Sequence, residues 1–429
     1  MTVLSTRVTS QLAPRSGGRR SILALIAAAA SLAFTGVAPA PPSSEPGTRR
    51  TANPQVAALA RDYDLSNREA AARIARQDSI ANLATYLATE FPNAYGGLWI
   101  DHEHGGEVVA LVTSHGIARA FARDFGLDAV VRELIVDWSL RELRQMSNRI
   151  HQMVGAALPD AERYLQTSID VRRNSVIVEF ASTSSSSHAT SAHRLVRRIN
   201  RIYGSAVAVH HAQPIHSYDD ACTDTNCPAP LRAGIQIRGS IACSIGFVTT
   251  TSSGAPAVTT AAHCPPPDST LYTHHGTAIG STITALDSGN VDARSISVDN
   301  FEYWSPANWV LHQGFGALPP NETFAITSRA VKSDIVLGLY LCRTGYKTGT
   351  QCGEVNNLNA RRRGNRRLFG MRACAANGDS GGAVYDYSSG RAYGQHVASS
   401  AAGCDASETS FFSPIDSIEA ALGVTVRTE

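Results

Sequence analysis

The stretch Asn377-Gly378-Asp379-Ser380-Gly381-Gly382 decides how this chain is read. A serine hydroxyl is a weak nucleophile at neutral pH and needs an adjacent base and a site that receives negative charge. Glycines on both sides of Ser380 allow a tight turn that leaves the hydroxyl open to a substrate carbonyl. They also let backbone N–H groups face the place where charge develops. So short a motif also fits an ordinary turn. The second motif, Thr260-Ala261-Ala262-His263-Cys264, lies upstream and supplies an imidazole.

Nucleophilic acyl transfer needs a third member, a carboxylate that holds the imidazole tautomer. If the order along the chain is His, Asp, Ser, the acid lies between the two motifs. Asp268, Asp287, Asp292, Asp299 and Asp334 are available. Asp292 is preferred because it follows the Gly289-Asn290 turn and begins the strand-like Ala293-Arg294-Ser295-Ile296. Asp287 is the runner-up.

Ala261-Ala262-His263-Cys264 together with Gly378-Asp379-Ser380-Gly381-Gly382 resembles the chymotrypsin-like serine endopeptidases, and within them the bacterial alpha-lytic protease and streptogrisin branch. Cys342-Arg343-Thr344-Gly345 followed by Gln351-Cys352-Gly353 is similar to a small disulfide loop of that branch. The resemblance implies an all-β protease domain of two six-stranded antiparallel β-barrels with the active site between them. His263 and Asp292 would come from the first barrel and Ser380 from the second. It also implies an oxyanion hole made of the Gly378 and Ser380 N–H groups, with Asp379 ordering the loop. Ser399 matches the family serine that supports the catalytic Asp and begins the substrate-binding strand. The implied disulfides are Cys243–Cys264, Cys342–Cys352 and Cys374–Cys404, leaving Cys222–Cys227 as a small loop.

Two departures from the family concern the specificity pocket. Its wall reads Ser399-Ser400-Ala401 where the family usually has Ser-Gly-Gly. No acid stands at the pocket base in Cys374-Ala375-Ala376-Asn377, so a preference for Arg or Lys, which needs a buried carboxylate, is not expected. Small Ala375 and Ala398 suggest an apolar pocket and cleavage after Phe, Tyr, Leu or Met.

Composition agrees with a secreted, turn-rich β protein. Charged residues are 17 % of the 429 and the net charge is only +2, so no overall field points to nucleic acid. All eight cysteines lie in the second half, which suits disulfides and an oxidising compartment. Arg15, Arg19 and Arg20 precede an apolar run from Ile22 to Val37 and then Ala38-Pro39-Ala40. This is the layout of a secretory signal over 1–40. The run is too rich in Ala, Ser and Thr to favour a permanent membrane anchor, which needs about 20 apolar residues. No metal or organic cofactor is called for, and the mature enzyme is expected to be monomeric.

The region 41–215 is a linker followed by a cysteine-free α+β pattern. Ser66-Asn67-Arg68-Glu69 is a capping box. Helices are expected over Trp138–Ala157 and Ser191–Tyr203. Strands are expected at Leu98–Ile100, Val108–Val112, Ser175–Phe180 and Ala206–Val209. Leu98-Trp99-Ile100-Asp101 looks like the pro region of the bacterial branch, so 41–215 is expected to template and inhibit the protease domain, 216–429. His102 and His104 read as a solvated hairpin tip, and so does the run Arg361-Arg362-Arg363-Gly364-Asn365-Arg366-Arg367. Two alternative functions share these motifs. One is a catalytically inactive binding module on the same fold. The other is an esterase, whose Gly-x-Ser-x-Gly pattern is met here but whose alternating βα units are not.

Overall fold

Strand-forming residues dominate the second half of the chain, and there they close on themselves. The structure is a computed structural model that describes residues 53–157, 165–181, 186–212, 230–266, 271–301, 303–312, 322–361, 367–400, 404 and 408–428. The expected signal, linker start, Cys222–Cys227 pair, Asp268, Ala401 and the centre of the arginine run lie outside these residues.

The chain opens with α1 (Pro54–Asp62), α2 (Asn67–Ala75) and α3 (Gln77–Glu90). The Ser66 side chain accepts the Glu69 N–H at the start of α2, as the capping pattern requires. A sheet of β1 (Tyr95–Asp101), β2 (Glu107–Val112) and β3 (Val131–Ile135) follows, with α4 (Ile117–Ala122) between its last two strands. Then come α5 (Leu140–Ala157), β4 (Leu165–Asp170), β5 (Ser175–Ala181), α6 (Ser186–Tyr203) and β6 (Val207–Ala212).

The first part of the second half of the chain contains β7 (Leu231–Ala233), β8 (Gln236–Arg238), β9 (Ala242–Ser244), β10 (Val248–Thr251), β11 (Pro256–Thr260), β12 (Tyr272–His274), β13 (Thr277–Gly280), β14 (Thr282–Ser288) and β15 (Val291–Ser297). β8 to β15, with the last strand of the chain, form a five-stranded and a four-stranded sheet around one core that includes Ile237, Val258, Ile279, Ile296 and Trp304, while β7 joins a three-stranded sheet with the two strands that follow β15. After β16 (Pro306–His312), β17 (Glu322–Ala325) and β18 (Ser328–Arg329) the second part begins. Its strands are β19 (Tyr340–Gly345), β20 (Gly349–Ala360), β21 (Leu368–Arg372), β22 (Ala383–Asp386), β23 (Arg391–Ser399) and β24 (Thr409–Pro414). The ladder runs β19-β22-β23-β24-β21-β20 and returns from β20 to β19, so these six strands make a closed barrel. Closure removes the exposed edges that open sheets leave. The helix α7 (Ile415–Leu422) ends at Gly423, whose φ of 64° is the left-handed cap that glycine suits. The final strand, β25 (Val424–Val426), pairs with β10 and ties the C-terminus to the first part.

Residues 51–429 form one compact unit. One apolar core joins Leu98, Val109 and Val176 of the N-terminal region to Leu339, Val355 and Phe412 of the closed barrel. The backbone is joined as well. Leu358 on β20 pairs with Ile169 on β4, which extends the barrel sheet through β5 to β6. Arg361 N–H donates to Thr167 O at 2.9 Å, and Ile100 N–H to Leu337 O at 2.9 Å.

Two sequence expectations are corrected here. His102 is not at a solvated tip: it is 4 % exposed, and its Nε2 lies 2.8 Å from the Gly338 carbonyl. Its neighbour His104 is exposed, as expected of a turn residue. Arg361, at the start of the arginine run, is buried and bonds to Asn148 on α5. Both were misread because their partners lie more than two hundred residues away in sequence.

Candidate active site

The loop that follows β11 carries His263, and its position is fixed from both ends. Ala261 and Ala262 are buried, and Cys264 is bonded to Cys243 in the middle of β9. Asp292 is the second residue of β15, just past the two-residue turn at Gly289-Asn290. Because β15 pairs with β11, the acid sits beside the histidine loop. Asp292 is 1 % exposed; its Oδ2 lies 2.6 Å from His263 Nδ1, and its Oδ1 accepts the His263 N–H at 3.1 Å. His263 Nε2 lies 2.9 Å from Ser380 Oγ. The structure thus brings His263, Asp292 and Ser380 together from the two parts of the second half of the chain. Asp287, the runner-up, faces Asp292 across the β14–β15 ladder but is exposed. Asp334 is instead engaged by Arg391, and Asp299 by Ser297 Oγ.

The loop bearing Ser380 is held by a buried charge pair. Asp379 is fully buried and accepts from Ala376 N at 2.8 Å, Lys347 N at 3.0 Å, Thr348 N at 3.1 Å and Thr348 Oγ1 at 2.6 Å. Arg343 on β19, also fully buried, comes within 3.5 Å of it and donates from Nε to Cys374 O at 2.8 Å. Burial lowers the Arg343 pKa, and Asp379 works against that shift. A buried ion pair holds only when its remaining donors and acceptors are filled, and these are.

Ser244 on β9 bridges the two parts. Its N–H donates to Ser380 O at 2.8 Å, its hydroxyl to Gly378 O at 2.8 Å, and Tyr346 N donates to that hydroxyl at 3.0 Å. Gly381 is required here. Its φ is 86°, and a Cβ would collide with Thr260 Oγ1 and the Ser244 carbonyl. Among the described residues neither the Gly378 nor the Ser380 N–H donates to a protein acceptor.

The expected pocket residues are spread along two segments. Ala375 is 1 % exposed, behind the Cys374–Cys404 disulfide. Ala398 and Ser399 end β23, Ser400 follows it, and all three are partly exposed. The Ser399 hydroxyl is bonded to His396 Nε2 at 3.2 Å and to Ser410 Oγ at 3.1 Å, not to Asp292. The hydroxyl beside Asp292 belongs to Ser413, which accepts the Asp292 N–H at 3.2 Å. A bulge in β23 at Val397, between His396 and Ala398, displaces the register that motif matching assumes. The Ser400 hydroxyl is turned onto Thr409 N at 3.0 Å.

Sequence reading missed Arg343, Ser244, Ser413 and His396. Only Arg343 carried a signal: an arginine within Leu339-Tyr340-Leu341-Cys342-Arg343 is a charge in an apolar strand, which demands a buried partner. His396 is 3 % exposed, and burial above all, with Arg343 nearby, pushes its pKa down to about 3.

Comparison with known proteins finds the following likenesses. Streptogrisin-C of Streptomyces griseus is 28 % identical over 421 residues, covering 94 % of this chain and 82 % of its own. A solved glutamic-acid-specific serine protease, described as using a histidine triad in substrate binding, is 25 % identical with a TM-score of 0.38. It matches over its whole length and 46 % of this chain. Nocardiopsis protease is 23 % identical with a TM-score of 0.39, over its whole length and 47 % of this chain. No protein-family model matches. Likeness to Streptogrisin-C extends over nearly the entire chain, including the N-terminal region and both motifs. The chain is a serine endopeptidase, and the proteins it is similar to are bacterial chymotrypsin-like serine proteases, whose substrates are proteins or peptides.

Proposed function

We propose that this endopeptidase works through His263, Asp292 and Ser380, and that it is made as a secreted zymogen. The observation that carries the triad is the chain of two contacts, Asp292 Oδ2 to His263 Nδ1 and His263 Nε2 to Ser380 Oγ. In this reading Asp292 keeps the Nδ1 proton in place, so Nε2 is free to act as base. His263 takes the Ser380 proton while Oγ bonds to the scissile carbonyl carbon. The carbonyl oxygen becomes an oxyanion held by the Gly378 and Ser380 N–H groups. The tetrahedral intermediate then collapses: the carbon–nitrogen bond breaks, and His263 gives its proton to the departing amine. Water, activated by the same imidazole, hydrolyses the acyl-enzyme. A serine-directed phosphonate is expected to label the mature enzyme and to leave Ser380→Ala unlabelled. Equal labelling of the variant would overturn the assignment.

In this reading Ala375 and Ala398 flank the specificity pocket, and their small side chains leave room for a large apolar or aromatic side chain. A second reading, an acidic side chain, is favoured by the His396 Nε2–Ser399 Oγ pair at the end of β23. A neutral imidazole and a hydroxyl can both donate to a carboxylate. A peptide panel separates the two: Phe, Tyr, Leu or Met preferred supports the first, and Glu preferred supports the second.

The zymogen reading rests on the extent of the seam. Strand pairing of β4 with β20 and the shared apolar core fit a region that templates a slow-folding barrel. Tyr340 O accepts from Gln55 Nε2 and, at 3.1 Å, from Gln77 Nε2, so α1 and α3 both grip β19. Secretion is supported by the signal-like leader and the disulfides; no described helix is long and apolar enough to cross a membrane. The protease half made alone from about residue 219 is expected to stay inactive and to be rescued by residues 41–215 supplied separately. Ready folding of the half alone would sink the zymogen reading while leaving the triad intact.

A further inference from the structure

The seam between α5 and the β20–β21 hairpin gathers positive charge without neutralising it. Arg144 and Asn148 stand one turn apart on α5, on one face of the helix. From the hairpin, Arg361 and Arg367 both donate to Asn148 Oδ1, the latter at 2.7 Å. Lys332 Nζ reaches Arg367 O at 3.4 Å from the segment after β18. Among the described residues no carboxylate oxygen lies within 4.0 Å of the charged nitrogens of these four side chains. The nearby Asp416 is engaged by the Lys332 backbone N–H at 2.7 Å.

Two N–H donors in this cluster point at nothing. Arg361 is 8 % exposed, yet its Nε is buried with no hydrogen-bond partner. The Nε of Arg144 is buried and unpartnered too. Burial of a charged donor is costly unless it is paired, so the cluster is incomplete as a purely protein construction. Lys332 is consistent with this. Its pKa falls to about 7, first through burial and then through Arg144, Arg367 and Arg361, with only Asp416 opposing. A bound anion would reverse that fall.

We propose that Arg144, Lys332, Arg361 and Arg367 form a binding site for a small tetrahedral oxyanion, inorganic phosphate or sulfate, which ties the N-terminal region to the protease barrel. Guanidinium groups match the oxygens of such an ion through paired, charge-assisted hydrogen bonds. The four groups come from both sides of a seam otherwise made by strand pairing and apolar contact, Arg144 from the N-terminal region and the other three from the barrel side, so one ion serves both partners.

The test uses the full chain carrying Ser380→Ala, which keeps it uncut, in chloride buffer free of other oxyanions. Titration with inorganic phosphate is expected to give one ion bound per chain. Thermal unfolding should shift upward by about 2 °C in phosphate over chloride at matched ionic strength, since a ligand of the folded state stabilises it. Sulfate should do the same. Arg361→Gln is expected to weaken binding at least tenfold. Should that variant misfold, Arg144→Gln provides the same reading, because its side chain makes no hydrogen bond among the described residues. Equal unfolding in phosphate and chloride, or undiminished binding by Arg144→Gln, would overturn the proposal.

Discussion

Asp379 and Arg361 are both buried charges within reach of the closed barrel, and their surroundings differ in kind. Around Asp379 every requirement is met inside the protease half. Two backbone N–H groups from residues 347 and 348, a third from Ala376, the Thr348 hydroxyl and Arg343 converge on one carboxylate. Around Arg361 the donors outnumber the acceptors, and two guanidinium groups share one neutral amide oxygen from another region of the chain. The first environment fixes a loop that must not move, because Ser380 is the next residue. The second environment leaves the seam with uncompensated repulsion, which suits a joint that holds only while something else holds it. Burial alone therefore says little about a charge; the count and origin of its partners decide what it does.

The comparison can be broken first at the catalytic end. Asp292→Asn is expected to lower kcat by about four orders of magnitude at neutral pH, because the imidazole loses the partner that selects its tautomer. Hydrolysis of a peptide anilide measures it, and a drop of less than tenfold would remove Asp292 from the site. Next in size is the structural pair. Asp379→Ala leaves Arg343 buried and unpaired, and losing one partner of a buried pair costs roughly 3–5 kcal/mol. Denaturant unfolding should show this, with activity lost alongside; a stable, active variant would mean that Thr348 and Ala376 fix the loop without the charge.

Lys332 gives a finer test, at the seam. Its folded pKa lies below its unfolded value, so its contribution favours folding above about pH 10 and is progressively lost as pH falls towards about 7. Lys332→Met should therefore raise the unfolding midpoint at pH 7, and the gain should shrink towards pH 10. A gain independent of pH would point to packing and not to charge. Smallest is Ser413→Ala. It removes the acceptor of the Asp292 N–H and should cost about 1 kcal/mol of stability, with a few-fold loss in kcat. Ser399→Ala should spare Asp292 and change peptide preference instead.

Much of the fold was legible because its signals are local. The capping residues at Ser66, the helix ending at Gly423, the turn at Gly289-Asn290 and the motifs around His263 and Ser380 each depend on neighbours within a few positions. Helix α6 begins at Ser186, earlier than the Ser191 that periodicity suggested, since helix ends are weakly marked. Strands β3 and β4 escaped notice because short strands within an α+β pattern lack turn signals on both sides. The burial of His102 depends on Gly338, and that of Arg361 on Asn148. No local rule reports such contacts. Ser399 shows a different limit: its motif matches, but a one-residue bulge at Val397 sends its hydroxyl to His396 and Ser410, and Ser413 occupies the place beside Asp292.

The central claim is that Ser380 carries the acyl group. Mixing mature enzyme with a slow ester substrate, quenching in acid and mapping the adduct by mass spectrometry tests it most directly. One acyl group per enzyme is expected on the peptide containing Asn377-Gly378-Asp379-Ser380-Gly381-Gly382, absent in Ser380→Ala. An adduct on any other residue, or turnover without an adduct in the trapped enzyme and undiminished in Ser380→Ala, would contradict it.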